Sequence, residues 1–174
     1  MSNKSLRIYF RLLIVAFLPF TVHGQDTVNL KKQANVIVTA TREGKYKIVV
    51  DHTYPKIVQL GGGKEAMLKK IISGMDEMKK QGIAGVDGKL GPPGKFYKAG
   101  SEIHCLIPET VTLIKSDGRL VSTSYLLAIT NDKGKTWSFI DVGNITTGML
   151  RDLFPHFNKR LKIPDKTEPV FYPN

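Results

Sequence analysis

Residues 101–141 read SEIHCLIPETVTLIKSDGRLVSTSYLLAITNDKGKTWSFID, and this stretch decides the fold. It holds three apolar runs, at 103–113, 120–129 and 137–141, separated by Ser116-Asp117-Gly118 and Asn131-Asp132-Lys133-Gly134. Asp-Gly between β-rich runs is a strong hairpin signal, because both residues tolerate positive φ. The longer Asn-Asp-Lys-Gly loop places Gly at a left-handed position. The spacing predicts a three-stranded antiparallel meander that serves as a floor for the helical half of the chain. Side chains alternate along each strand. Val121, Thr123, Tyr125, Leu127 and Ile129 share one face, and Leu120, Ser122, Ser124, Leu126 and Ala128 the other. Both faces carry apolar groups, whereas a sheet with one wet face should be polar there. Either the second face is covered, by the C-terminal tail or a second copy, or the sheet curls strongly.

Outward from the meander, residues 83–97 read as a long bent strand that Gly91-Pro92-Pro93-Gly94 must break or hold at an edge, since proline cannot donate to a ladder. Upstream lies the helical half. Leu30, Ala34, Ile37 and Thr41 recur at helical spacing over 28–43, with Gly44 placed to end the helix. Residues 45–60 form a broken helical stretch, in which Pro55 starts a second turn behind an N-cap at Thr53 or Tyr54. Leu68, Ile71, Ile72, Met75 and Met78 mark an amphipathic helix over 64–81, its stripe read as core. Gly61-Gly62-Gly63-Lys64 before it lacks the phosphate-loop spacing, so it reads as the end of one helix and the entry to the next. Downstream, Met149, Leu150 and Leu153 suggest a short helix stopped by Pro155, and residues 158–174 read as an extended surface tail.

The first 24 residues set the expected compartment. Lys4, Arg7 and Arg11 precede an apolar run at 12–20 and the small-residue stretch Thr21-Val22-His23-Gly24. That order predicts a secretory signal peptide cut after Gly24 and a periplasmic or secreted protein. The apolar run falls short of the ~20 residues needed to span a bilayer, and no membrane span is expected in the remaining chain. The expected organisation is a leader at 1–24, a single domain at 25–157 and the tail at 158–174. Past the leader, 23 bases face 15 acids, a balance that favours anionic partners. The lone Cys105 leaves no internal disulfide, so the core alone must hold the fold.

The fold class expected is α+β: N-terminal helices packed on a strongly curved antiparallel sheet of about four strands. Gly44-Lys45-Tyr46, Tyr54-Pro55-Lys56-Ile57-Val58, Gly62-Gly63-Lys64-Glu65-Ala66-Met67 and Gly134-Lys135-Thr136-Trp137-Ser138-Phe139-Ile140-Asp141 carry a resemblance. In that order they resemble the nuclear transport factor 2-like superfamily, a cone-shaped fold also described as cystatin-like, and within it exported bacterial members. The resemblance covers 28–141 and rests on the pattern of elements. It implies a pocket between the helices and the concave sheet face. Members include isomerases, dehydratases, transport factors and non-catalytic accessory domains, so fold alone does not choose the function.

Asp51, His52 and Asp141 are the candidate acid–base residues, and Tyr54, His104, Tyr125, Trp137 and Phe139 the candidate pocket lining. Buried Asp, His and Tyr together could move protons in an apolar cone. Against this, adjacent Asp51 and His52 diverge by about 100° on a helix, and Asp141 can simply cap a strand. His52, His104 and His156 lack metal-ligand spacing, so neither metal nor cofactor is expected. Neighbouring His104 and Cys105 should point to opposite faces of their strand. Lys31, Lys32, Lys69, Lys70, Lys79 and Lys80 lack the aromatic interleaving of single-strand binders, so nucleic acid is not expected. The functions in view are a non-catalytic module binding a small apolar ligand, an acid–base isomerase or dehydratase, and a homodimer formed through the open sheet face.

Overall fold

The computed structural model describes residues 23–143 and 145–174. Nearly all of the expected leader thus lies outside the described residues. The chain is α+β, with helices N-terminal to a strongly curved antiparallel sheet.

Helix α1 (His23–Arg42) buries Leu30, Ala34, Val38 and Ala40. The β-branched run at 36–39 does not break it, because helix propensities differ by only tenths of a kcal/mol and burial of the apolar face outweighs them. Gly44 ends the helix at φ 69°, as its position predicts. Gly44 N donates to Thr41 O at 3.2 Å and Lys45 N to Ala40 O at 2.8 Å, the two bonds of a left-handed glycine cap. Helices α2 (Tyr46–His52) and α3 (Pro55–Leu60) divide at Pro55, which takes the first helical position behind an extended Tyr54. The link is pinned to the sheet, since Thr53 bridges Phe139 and Tyr54 N donates to Phe139 O at 3.0 Å. The three glycines that follow close α3. Gly61, Gly62 and Gly63 amides all donate back to carbonyls at 57–59, so none is left for an anion.

Helix α4 (Lys64–Lys80) departs from expectation. Its stripe of Leu68, Ile71, Met75 and Met78 is only half-buried, and Ile72 is exposed. The helix packs on α2, α3 and the first strand, and does not lie across the sheet. It is therefore a flank and not core.

The sheet runs β1 (Ile83–Leu90), β3 (Glu102–Lys115), β4 (Gly118–Thr130) and β5 (Ser138–Asp141) in spatial order. Two further strands complete it. β2 (Phe96–Ala99) extends β1 along the free edge of β3, and β6 (Val170–Pro173) extends β5 along β4. The expected bent strand is thus two strands, broken at 91–95 where Gly91 N and Gly94 N donate to Pro108 O and Leu106 O at 2.8 Å. A strand residue points its N–H and C=O the same way, so Pro108 turns its missing donor toward that break and costs the ladder nothing.

The β3–β4 hairpin turns at Ser116-Asp117, one residue before the expected Asp-Gly centre, with Lys115 opposite Gly118. Gly118 has a different task. A Cβ there would strike Tyr172 O, so the glycine is what lets β6 lie against the hairpin. The tail is accordingly more than extended surface chain: it donates a strand, and Leu161 is buried. In the next loop Gly134 takes φ 83° as expected, and Lys133 also turns left-handed at φ 61°. Asp132 holds that loop by accepting from Thr130 Oγ1 (2.8 Å), Lys135 N (3.0 Å) and Thr136 N (3.0 Å). A bond from Thr136 Oγ1 at 2.5 Å, together with these, holds its carboxyl down at about 2. Asn29 and Gln33 of α1 reach the same loop, at Gly134 O (2.6 Å) and Lys135 O (3.0 Å).

Two apolar cores follow from strand alternation. On one face α1 packs Leu30 and Ala34 against Cys105, Ile107, Leu126, Ala128, Trp137 and Phe139. On the other, Leu127, Ile129 and Ile140 meet Leu153, Phe154 and Leu161. Helix α5 (Thr147–Leu153) and the chain after it supply that cover. Thr146 caps α5 by accepting from Met149 N at 3.2 Å, and Pro155 follows its end. Around Leu127, Ile129 and Ile140 the apolar second face is therefore covered by this chain's own C-terminal segment.

Candidate functional site

Strand β3 begins with Glu102, Ile103 and His104, and alternation sends Glu102 and His104 to the α5 face. Tyr54, at the α2–α3 link, meets them there. Tyr54 Oη donates to Glu102 Oε1 at 2.9 Å, and His104 Nε2 lies 3.0 Å from Glu102 Oε2. One carboxylate thus gathers two donors, so the imidazole carries its proton on Nε2. His104 is fully enclosed, with Phe154 edge-on at 4.8 Å and Phe157 at 5.7 Å. Its Nδ1 has no hydrogen-bond partner. Burial lowers the His104 pKa, and Glu102 offsets only part of that. Burial also pushes the Tyr54 phenol up to about 12, with its bond to Glu102 adding to the effect. Both side chains are therefore poised as neutral donors at ordinary pH.

Tyr54 and Glu102 form the wall between two recesses. One, about 260 Å³, is lined also by Ser101, His104 and His156. The other, about 490 Å³, lies beside the β5 edge and is lined also by Asp51, Thr136 and Trp137. Lys56 crosses from α3 to cap α5, donating to Asp152 O at 2.7 Å and Leu153 O at 3.1 Å. The network therefore also locks the cover onto the sheet. Tyr54→Phe should cost about 1 kcal/mol, one net hydrogen bond, while Glu102→Ala leaves both ring nitrogens of His104 without partners and costs about 1–3 kcal/mol. Urea denaturation of the two variants checks this. A loss from Glu102→Ala no larger than that from Tyr54→Phe would show that His104 does not depend on the carboxylate.

A larger cavity, about 810 Å³, opens between α5, the end of β5 and the tail. Its floor is Val142, Ile145, Leu150, Phe157, Leu161 and Ile163. Arg151, Lys159, Lys162 and Lys166 stand around it with a single acid, Asp165. Nothing in the sequence marks this cavity except the clustering of Leu161 and Ile163 with lysines in what reads as tail.

A third feature lies at the far end of the α1 core. Glu109 of β3 projects between Gly88 and Val38, where a Cβ on Gly88 would strike its carboxylate. Burial, and then the charge of Asp141, push Glu109 up to about 7.

The remaining candidates are dispersed. Asp51 is on the surface, bound by Lys64 Nζ at 2.6 Å, and that bond lowers its pKa. His52 Nδ1 meets Ile48 O at 2.9 Å within its own helix. Asp141 closes the end of β5, accepting from Ser124 Oγ and Gly143 N at 2.8 Å each. Asp51, His52 and Asp141 thus do not converge. The expected pocket lining also divides: Trp137 and Phe139 pack under α1, while Tyr54, His104 and Tyr125 lie on the opposite face. Cys105 is buried beneath α1, where desolvation raises its thiol to about 12, and it faces away from His104 as alternation predicts. Among the described residues no group of three or more His, Cys, Asp and Glu could hold a metal ion. None of their helices is long and apolar enough to cross a membrane. Comparison with protein families, curated proteins and solved structures returns no match to this chain.

Proposed function

We propose that this protein is an exported, non-catalytic module that binds a small ligand in the cavity between α5, the tail and the sheet. The carrying observation is the cavity itself: about 810 Å³ with an apolar floor, inside the ~300–1,000 Å³ range of small-molecule sites. The space under α1, by contrast, is taken up by Leu30, Ala34 and Trp137. Export is supported by the basic, apolar and small-residue order of residues 1–24. A nuclear transport factor 2-like cone is supported by the order of helices before a curved antiparallel sheet. Such a cone does not itself require catalysis.

Ile163→Trp tests the site by filling it. Titration with the neutral dye Nile red should show saturable binding to the native protein and at least tenfold weaker binding to the variant, with an unchanged melting temperature. Equal affinities would remove the cavity from the proposal.

A second reading, acid–base chemistry, rests on the Tyr54–Glu102–His104 chain. Glu102 can relay between a phenol and an imidazole, and recesses open on both sides of it. His104 itself is sealed by Phe154, which favours the structural role.

A further inference from the structure

We infer that the ligand of the α5–tail cavity is an anionic single-chain amphiphile, such as a medium- or long-chain carboxylate, taken up as a free molecule. This rests on the binding-module reading and deepens it. Three observations join here. First, the apolar groups are gathered at the floor, from Val142 after β5 through Leu150 of α5 to Leu161 and Ile163 of the tail. Leu161 and Val142 are buried, so these groups form the inner wall. Second, the charged groups are on the rim and are mostly of one sign. Arg151 comes from α5, Lys159, Lys162 and Lys166 from the tail, and Asp165 is the lone acid. Arg151, Lys159 and Lys162 are exposed, where long side chains can lay their stems on the wall and keep their heads at the mouth. Third, this is a recess between two segments and not a protruding apolar ridge. A bilayer surface would have to reach into it, whereas a single chain can enter.

The chemistry that fits is therefore an alkyl chain on the floor and an anion at the rim. A guanidinium and ammonium groups around one mouth match a carboxylate or phosphate by charge-assisted hydrogen bonds. A cationic head would meet like charge, and a neutral one would forgo the rim. Chain length should act through burial alone, at about fourfold in affinity for each methylene added until the floor is covered.

Calorimetric titration of the full chain with decanoate, decanol and decyltrimethylammonium, each below its aggregation limit, tests this. Decanoate should bind, decanol about tenfold more weakly, and decyltrimethylammonium not at all. In Arg151→Gln/Lys162→Gln, whose altered side chains lie on the surface and leave the melting temperature unchanged, decanoate should fall to the level of decanol while decanol is unaffected. Amide shifts in ¹H–¹⁵N spectra should move at Leu150, Phe157, Leu161 and Ile163. Decanol binding as tightly as decanoate would overturn the anionic assignment and leave the binding module standing. No binding of any of the three up to millimolar concentration would overturn both. Sedimentation with anionic phospholipid vesicles in the absence of decanoate binding would also overturn the inference, because it assigns the rim to a membrane surface.

Discussion

Trp137→Ala lowers the free energy of unfolding by about 3–5 kcal/mol, the usual cost of deleting a buried indole. The ring is 4 % exposed, wedged between α1 and the sheet and 5.9 Å from Phe96. Its Nε1 donates to Gly134 O at 3.1 Å, but that carbonyl also accepts from Asn29 at 2.6 Å. Losing the indole N–H therefore leaves no orphaned acceptor, and the cost is one of packing. Trp137→Phe should accordingly recover more than half of the loss. The surroundings cannot collapse into the space easily, since Asn29 and Gln33 hold α1 to the backbone of the same loop and Gln33 Oε1 accepts from Trp137 N at 2.9 Å. Urea unfolding followed by circular dichroism reads the loss. An unchanged midpoint would mean that the ring is not an anchor.

Glu109→Gln produces a gain that depends on pH. The native carboxyl is raised from 4.5 to about 7, so the folded state holds a proton that the unfolded state releases earlier. The stabilisation tied to that proton is fully present below about pH 4.5 and is lost as pH rises through about 7. Glutamine keeps the shape without the charge. The difference between variant and native stability should thus widen from near zero at pH 4.5 to on the order of 2–3 kcal/mol in the variant's favour at pH 8. Asp141, the acid that adds to the shift, is the charged neighbour to control, and Asp141→Asn should narrow the effect without abolishing it. His104 works in the opposite direction. Its pKa is lowered, so stability tied to its neutral form is present above about 6.5 and falls as the solution is acidified through its folded pKa. Parallel pH–stability profiles for the native protein and Glu109→Gln would contradict the half-buried placement of Glu109 beside Gly88.

Elements whose signals are local were legible in the sequence. The glycine cap after α1, the break at Pro55, the glycines that close α3, the two meander turns and the division of β4 into two apolar faces all depend on residues within a few positions of one another. The hairpin still moved by one residue. Ser116 and Asp117 make the turn, while Gly118 is kept free of a side chain by a strand some fifty positions later. Helix α4 shows the limit of periodicity: its stripe marks a helix with an apolar side but not how much of that side its neighbours will cover.

The site belongs to tertiary structure for the same reason. Tyr54 and His104 stood out as chemical types, but the group that joins them, Glu102, is an ordinary acid at the start of a strand. Asp51 and Asp141 stood out equally, yet Lys64 holds Asp51 at the surface, and Asp141 takes the strand-capping role already open to it in the sequence. Alternation within a strand is set by the chain, so the separation of His104 from Cys105 was readable. Which helix or tail covers each face is set by pairing across many residues, and so the cavity under α5, built from β5, α5 and the tail together, exists only once those segments have met.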